Sequence, residues 1–455
     1  MIHFHHARSR RTLCPRFLEH CVSPSLPALH RWQVLLMSVA TGVAVASNYY
    51  AQPLLHTIAD AFGVPFGQVG MVVTAAQLSY AAGLILLVPL GDLFERRRLI
   101  VVMSLLSAGG LVISACAPSL TWLLVGTAIT GLFSVVAQVL VPFAATLAAP
   151  EHRGRVVGTL MSGLLLGILL ARTVAGLLSS LGDWRLVYAI AAATLVLTAM
   201  ALQRGLPRFH HSAGLGYFAL LRSIGVLFVQ EPVLRQRTLL GACSFAMFAI
   251  FWTPLAFLLA QPPYAYSDAT IGLFGLVGAA GTLAAGLAGR MSDRGQTGRA
   301  TAIALALLLL SWLPLGLSAH SLLALLLGVV VLDLAAQLLH VSNQNLIYAL
   351  QPAARNRLNA GYMTGYFIGG SLGSLLSAQV YQRFGWTASA WPVPPWPCWP
   401  CCCGCPARCV RARRRWPTRS CPAAPAPIAH RRCRGTGAWL RCPCHARWRA
   451  VPMPG

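Results

Sequence analysis

Arg172 stands midway along an apolar stretch that begins near Arg155. A guanidinium at the centre of a hydrocarbon layer costs about 2.5–3.5 kcal/mol on insertion scales, and nothing in its own stretch neutralises it. Such a group either faces a cavity, where it binds an anionic or polar part of a solute, or is held in a structural ion pair. Asp333 is its natural counterpart. Asp333, Gln337, His340 and Gln344 follow the spacing i, i+4, i+7, i+11, which puts them on one stripe of a single helix. That stripe is untenable against lipid. Asp333 can carry a proton or form a structural pair with Arg172, and the sequence does not choose between the two. His340 titrates in the useful range and lies nearer the inner end of the stripe.

Further polar side chains interrupt other apolar stretches. Asn48 and Gln52 are one turn apart with Tyr49 and Tyr50 between them; Gln77 and Tyr80, Gln138, and Tyr362 and Tyr366 recur elsewhere. Taken singly, each is better explained by interhelical hydrogen bonding or an interfacial aromatic. Taken together, amides and phenols suit a cavity that hydrogen-bonds a small polar or aromatic solute.

The elements that must position these groups follow from composition. The chain has 455 residues, 56% of them apolar and only 10% charged, against about a quarter charged in soluble domains. Eleven stretches have the roughly 20-residue length of a membrane-spanning helix. They begin near Val34, Val69, Leu99, Thr121, Arg155, Arg185, Thr238, Ile271, Ala300, Ser321 and Leu358. The expected fold class is an all-α membrane protein.

All 35 basic residues are Arg, and their placement fixes an orientation. The links after the second, fourth, sixth, eighth and tenth stretches hold 15 of them, from Arg96, Arg97 and Arg98 to Arg355 and Arg357; the alternate links hold only Arg185 and Arg383. The Arg-rich side is expected to be cytoplasmic, with the N-terminus inside. A formal charge of +25 distributed by topology in this way does not form the basic face a nucleic-acid binder needs. The longest link, Gln203 to Arg237, contains a short apolar segment, Tyr217–Val229, expected to lie on the inner membrane surface and to tether two halves.

The link after the second stretch reads Gly91-Asp92-Leu93-Phe94-Glu95-Arg96-Arg97-Arg98, and that after the eighth reads Gly289-Arg290-Met291-Ser292-Asp293-Arg294-Gly295. An acid at a helix end with Arg just beyond thus recurs about 200 residues later, as in duplicated transporters. Both copies resemble the inner-loop signature of the major facilitator superfamily, Gly-x-x-x-Asp-Arg-x-Gly-Arg-Arg. The first keeps Asp92, Arg96 and Arg97 but has Val88, Leu93 and Glu95 at signature positions; the second keeps Gly289, Asp293 and Arg294.

The resemblance implies two pseudo-symmetric six-helix bundles, with these acids and Arg residues acting as a latch at the cytoplasmic mouth and Glu95 offering a second acid. Asn48–Leu54 together with Gly163–Gly176 is similar to a bacterial subgroup of proton-linked exporters. The family's helix-four Arg, expected near Thr127, is missing, and the helix-five glycine pattern lacks its proline. The resemblance covers about residues 32–386. It implies alternating access and proton-coupled export of a small organic solute across a bacterial inner membrane by a monomer, with lipid and protons as partners and no cofactor, metal or nucleic acid. An uptake carrier or facilitator of the same fold, a non-transporting receptor or assembly protein, and an inactive product remain as alternatives. No paired carboxylates or nucleophile–base set favours an enzyme.

Glycines recur every four residues at Gly361, Gly365, Gly369 and Gly373, and Gly163, Gly167, Ala171 and Ala175 match them. Such ridges allow close helix packing, and they are expected also to let the halves rock past each other.

The expected organisation is an N-terminal extension over 1–31, a six-helix bundle over 32–203, a linking loop over 204–237, a second bundle of five helices over 238–386, and a tail over 387–455. Residues 1–30 read as an upstream start-site extension. The tail holds 10 of the 14 Cys residues and 12 Arg among many Pro and Trp. Three adjacent Cys cannot all turn to one metal ion without strain. The genetic code accounts for them better. Reading the last base of each codon with the first two of the next, every Cys-Cys junction gives Leu and Trp396-Pro397 gives Ala. Out of register, the tail spells the apolar twelfth helix that should follow Trp386, as expected after a frameshift.

Overall fold

In hydrocarbon every backbone N–H and C=O must be satisfied within its own segment, so Leu-, Val- and Ala-rich runs of bilayer length become helices. The computed structural model describes residues 30–149, 152–208, 216–278, 280–351 and 354–390, and its described regular elements are all helical. The first half contains α1 (Arg31–Ala46), α2 (Leu55–Phe62), α3 (Phe66–Val69), α4 (Met71–Leu86), α5 (Arg96–Ala115), α6 (Leu120–Phe133), α7 (Val136–Leu147), α8 (Arg153–Ser180) and α9 (Trp184–Gly205). After α10 (Tyr217–Gln230), the second half contains α11 (Pro232–Trp252), α12 (Leu255–Ala260), α13 (Asp268–Val277), α14 (Ala280–Asp293), α15 (Thr297–Leu310), α16 (Trp312–Gly316), α17 (Leu322–Tyr348) and α18 (Arg355–Ala390).

Among the described residues, eight helices are long and apolar enough to cross a membrane. The first, eighth and eleventh expected segments are built differently. The first is broken: α1 stops at Ala46, and a 3-10 turn over Gln52–Leu54 with Pro53 inside it leads into α2. The eighth is divided between α13 and α14 near Gly278. The eleventh, α18, bends at Gly385, whose φ is 73°, and its helix runs past the expected end at Trp386 to Ala390. Several starts are capped as their sequence allows: Glu95 accepts from the backbone N–H of Arg97 and Arg98, and Ser321 from that of Ala324.

Helix α11 starts at Pro232, well before the expected Thr238, and this corrects the reading of Arg237 as a link residue. Its side chain is buried, donating to Thr301 Oγ1 at 3.0 Å and Asn343 Oδ1 at 3.4 Å. The short apolar segment of the link forms helix α10: Leu220, Ile224 and Leu227 are buried, and Phe218 and Val229 are exposed.

The two halves repeat one packing arrangement. Helix α1 lies along α8 in the first half and α11 along α18 in the second. A Cβ on Gly167 would meet the Gly42 Cα at 2.6 Å, and one on Gly369 would meet the Ala242 Cα at 2.5 Å. Gly163 and Gly167 therefore face α1, and Gly365, Gly369 and Gly373 face α11, each within their own half, while Gly361 faces Phe228 and Ile224 of α10. Their place in the fold is thus close packing of helices, as expected of small-residue ridges, and they are not where the two halves touch. The halves meet instead where α8 lies along α13 and α4 along α18. At the first of these seams a Cβ on Gly272 would sit 2.6 Å from the Arg172 carbonyl oxygen.

Candidate functional site

The break in the first segment places Tyr49 and Gln52 beside Arg172 of α8. Arg172 Nε donates to Gln52 Oε1 at 2.7 Å. The guanidinium carbon lies 4.1 Å from the centre of the Trp252 ring and 5.2 Å from that of Tyr49. In a water-poor setting a cation on an aromatic face gains about 2 kcal/mol. Arg172 is only 3% exposed, and its Nη2 has no hydrogen-bond partner. Tyr50 is buried next to Tyr49 in the same apolar cluster.

Asp333 of α17 does not pair directly with Arg172; among the described residues no ion pair joins them. Trp252 connects the two, its Nε1 donating to Asp333 Oδ1 at 3.2 Å while its ring lies against the guanidinium. Both ionic side chains press on glycines of the divided eighth segment. Arg172 lies against Gly275, and a Cβ on Gly278 would collide with the Asp333 carboxylate. The glycine-rich course of this segment is what leaves room for two buried charges.

Toward the Arg-rich side lies an aromatic and amide cluster. His340 Nδ1 is 3.1 Å from Tyr362 Oη, and the His340 ring lies 4.7 Å from that of Tyr366. Tyr366 stacks on Phe245 at 4.2 Å, and Tyr80 lies 4.4 Å from Phe367. Gln138 Nε2 donates to Tyr80 Oη at 3.4 Å and accepts through Oε1 from Asn359 Nδ2 at 3.3 Å; Asn359 Oδ1 in turn accepts from Tyr348 at 2.8 Å and Gln344 at 3.4 Å. This chain of amides and phenols crosses from one half to the other. Gln77 faces Gly370 across the α4–α18 seam with its Oε1 unpartnered. Gln337 packs on Gly281. Asn48 points elsewhere, donating to Ser134 Oγ at 2.7 Å inside the first half.

The side away from the Arg-rich links is sealed. Phe66 stacks on Phe257 at 4.2 Å beside Tyr381, and Leu54, Leu55, Ile58 and Leu259 are fully buried around them. Asp268 Oδ2 accepts from Thr57 at 2.7 Å and from Ser179 at 2.8 Å, tying the halves together there. On the Arg-rich side a cleft opens between the halves, lined by Asp92, Arg96, Gln138, Ile224, Arg357 and Asn359 among others.

At that mouth the first signature copy is assembled. Arg96 Nη2 lies 3.4 Å from Asp92 Oδ1, and Arg96 also donates to the Gly91 carbonyl and Thr146 Oγ1. Arg97 donates to the Leu206 carbonyl at 3.1 Å. Glu95 accepts the two backbone N–H groups that start α5. In the second copy, Gly289 and Arg294 lie at the end of α14 and just beyond, Arg294 exposed, and the Asp293 side chain lies outside the described residues.

Sequence reasoning missed four contributors: Trp252, Asn359, Arg237, and the Asp268 set with Thr57 and Ser179. A Trp ending an apolar run reads as an interfacial anchor, and an Asn beside Arg357 reads as the edge of a link. Asp268 follows Ser267 at a helix start, where an acid is ordinary.

The Major Facilitator Superfamily profile matches residues 37–326. The chain is 58% identical over 368 residues to the uncharacterized transporter YgaY of Escherichia coli O157:H7, covering 81% of this chain and 92% of that protein. It is 32% identical over 367 residues to a transporter of Streptomyces coelicolor, SCO4007, covering 79% and 85%. The crystal structure of a bacterial homologue of the human lysosomal transporter Spinster superposes with a TM-score of 0.64 at 18% identity, over 78% of this chain and 82% of that one. The chain belongs to the Major Facilitator Superfamily. It is a multi-pass membrane transporter of that kind rather than an enzyme.

Proposed function

We propose that this protein exports a small organic solute bearing an anionic or polar group across the bacterial inner membrane, by alternating access and in exchange for protons, acting as a monomer with its N-terminus in the cytoplasm. The observation that carries this reading is Arg172: a buried guanidinium held between two aromatic faces, with one nitrogen unpartnered and no acid on it. A solute carboxylate or carbonyl is the complement such a group lacks. Asp333, reached through the Trp252 indole, is the proton carrier; a proton arriving there alters the field at the guanidinium without a competing ion pair. His340 assists on the inner side. Tyr49, Tyr50, Gln52, Gln77, Tyr80, Gln138, Tyr362 and Tyr366 shape the solute path. Asp92, Glu95, Arg96 and Arg97 form the inner gate with Gly289, Asp293 and Arg294, and the bundles have six helices each by ancestry.

The experiment is solute-dependent proton flux in proteoliposomes, screened over organic anions and neutral polar solutes under an imposed pH gradient. Flux lost in Arg172→Ala with membrane insertion intact is expected; full transport by that variant overturns the role. Asp333→Asn is expected to permit solute exchange without proton movement.

We further propose that the chain carries eleven in-frame spanning segments and that residues 387–455 are an out-of-register reading of a twelfth. The support is the codon argument, since Pro, Cys and Trp in this order spell Leu and Ala one base away. The nucleotide sequence around codon 387 tests it, and a continuous frame in related genes encoding this same tail would overturn it.

A further inference from the structure

Behind the break in the first segment, inside the first half, lies a small cavity separate from the solute path. It is lined by Ser47, Asn48 and Ala51 of the break and by residues of α4, α5, α6 and α9, including Ser114, Thr127, Thr130 and Tyr188. Three of its lining atoms are buried polar groups with no hydrogen-bond partner: Asn48 Oδ1, Thr127 Oγ1 and Tyr188 Oη. Leaving one such group dry costs about 1–3 kcal/mol. Three converge on one cavity, with Tyr188 only 3% exposed and Thr127 only 9%, so hydrogen-bonding capacity from three elements is aimed at one small space.

The donor and acceptor count identifies the occupant. Ser47, Ser114 and Thr130 already donate their hydroxyl protons to the carbonyls of Ala44, Gly110 and Ser107, so they can only accept. Asn48 Oδ1 can only accept. The Thr127 and Tyr188 hydroxyls can donate and accept. The occupant must therefore donate to several oxygens and accept from one or two hydroxyls, which water does. A dehydrated cation is disfavoured, because no acidic residue is among the described residues that line the cavity to offset its desolvation. The space takes one water-sized occupant, and buried waters make about three such bonds.

We propose that this cavity holds an ordered water that belongs to the working structure. Non-helical backbone at membrane depth persists only where its surroundings satisfy it. The water fastens Asn48 to α6 and α9, and Asn48 directly precedes Tyr49, which lies against Arg172. It is thus a positioning element for the break that presents Tyr49 and Gln52 to the guanidinium. The inference stands independently of which solute is carried.

The test is microsecond X-ray hydroxyl-radical footprinting of the purified full-length protein, read by mass spectrometry. Radicals form where water is bound, so the Tyr188 ring is expected to be oxidised although bulk solvent does not reach it. Thr127→Leu, which fills the cavity, is expected to abolish that label while leaving Tyr217 labelled. Thr127→Val, which removes only the hydroxyl, is expected to lower the melting temperature. An unlabelled Tyr188 in the unaltered protein overturns the proposal, whatever the variants do. A melting temperature that rises specifically with sodium or potassium and falls back in Thr127→Val overturns it in favour of a cation.

Discussion

Ser179, the penultimate residue of α8, donates a 2.8 Å hydrogen bond to Oδ2 of Asp268, the first residue of α13, and so fastens one half of the molecule to the other. Thr57 donates to the same oxygen at 2.7 Å. This junction lies above the sealed layer of Phe66, Phe257 and Tyr381, at the end remote from the Arg-rich links. A hydrogen bond to a charged group contributes about 1.5–3 kcal/mol, and about 1.4 kcal/mol is a factor of ten in an equilibrium. If the protein works by the proposed alternating access, the junction weights the population toward the form closed on this side.

Asp268→Ala is accordingly expected to raise the population open on this side by roughly tenfold or more. A single cysteine placed at Leu54, fully buried beneath the layer, reports it: a membrane-impermeant maleimide should label it correspondingly faster. Ser179→Ala, which leaves Thr57 in place, should give a smaller acceleration. Equal labelling rates in all three proteins would remove the junction from the gating account.

The link between Arg172 and Asp333 makes a sharper demand on Trp252. Trp252→Phe keeps a ring face for the guanidinium but deletes the N–H that Asp333 accepts. Leaving a buried carboxylate without that donor costs about 1–3 kcal/mol. Trp252→Ala also loses the ring, and large-to-small changes of this kind cost about 3–5 kcal/mol. Thermal unfolding in detergent should rank the proteins unaltered, then Phe, then Ala. A Phe variant as stable as the unaltered protein would show that the indole N–H contributes nothing to holding Asp333.

What the sequence made legible follows from what one-dimensional spacing can encode. The stripe of Asp333, Gln337, His340 and Gln344 lies on one helix, and a helix fixes which of its residues share a face. Tyr217–Val229 could be read as a short helix because its length falls short of the bilayer. The ring between Arg172 and Asp333 was not legible, because Trp252 comes from a third helix and nothing along α8 or α17 records which side chain from elsewhere intervenes. The break after Ala46 is half visible in the sequence: Asn48 and Gln52 read as polar groups of a cavity, while Pro53, which lies inside the 3-10 turn over Gln52–Leu54, is the residue that cannot continue a regular helix there. Arg237 reads as a link residue because Arg clusters there, whereas Pro232, the first residue of α11, marks where the helix begins.

The glycine ridges give a controlled packing test. A Cβ at Gly167 would meet Gly42 backbone atoms within 2.7 Å, whereas nothing lies within 4 Å of one at Gly158 on the same helix. Overpacking a tight contact typically costs about 1–3 kcal/mol. Gly167→Val should therefore lower the melting temperature, and Gly158→Val should leave it nearly unchanged. If the two substitutions were equally tolerated, α1 and α8 would not be in backbone contact along this ridge.

Orientation in the membrane can be tested without touching any Arg. Phe94, in the link between α4 and α5, and Leu181, just past the end of α8, are both largely exposed and lie at opposite ends of their helices. Arg96, Arg97 and Arg98 follow Phe94 directly, and short links rich in Arg are retained on the cytoplasmic side during insertion. In intact cells an impermeant maleimide should label Leu181→Cys and spare Phe94→Cys, and permeabilised cells should lose that distinction. The reverse pattern would turn the protein over in the membrane. The Asp268 junction would then face the cytoplasm and the Asp92–Arg96 mouth the exterior, so the closed face and the open cleft would exchange sides.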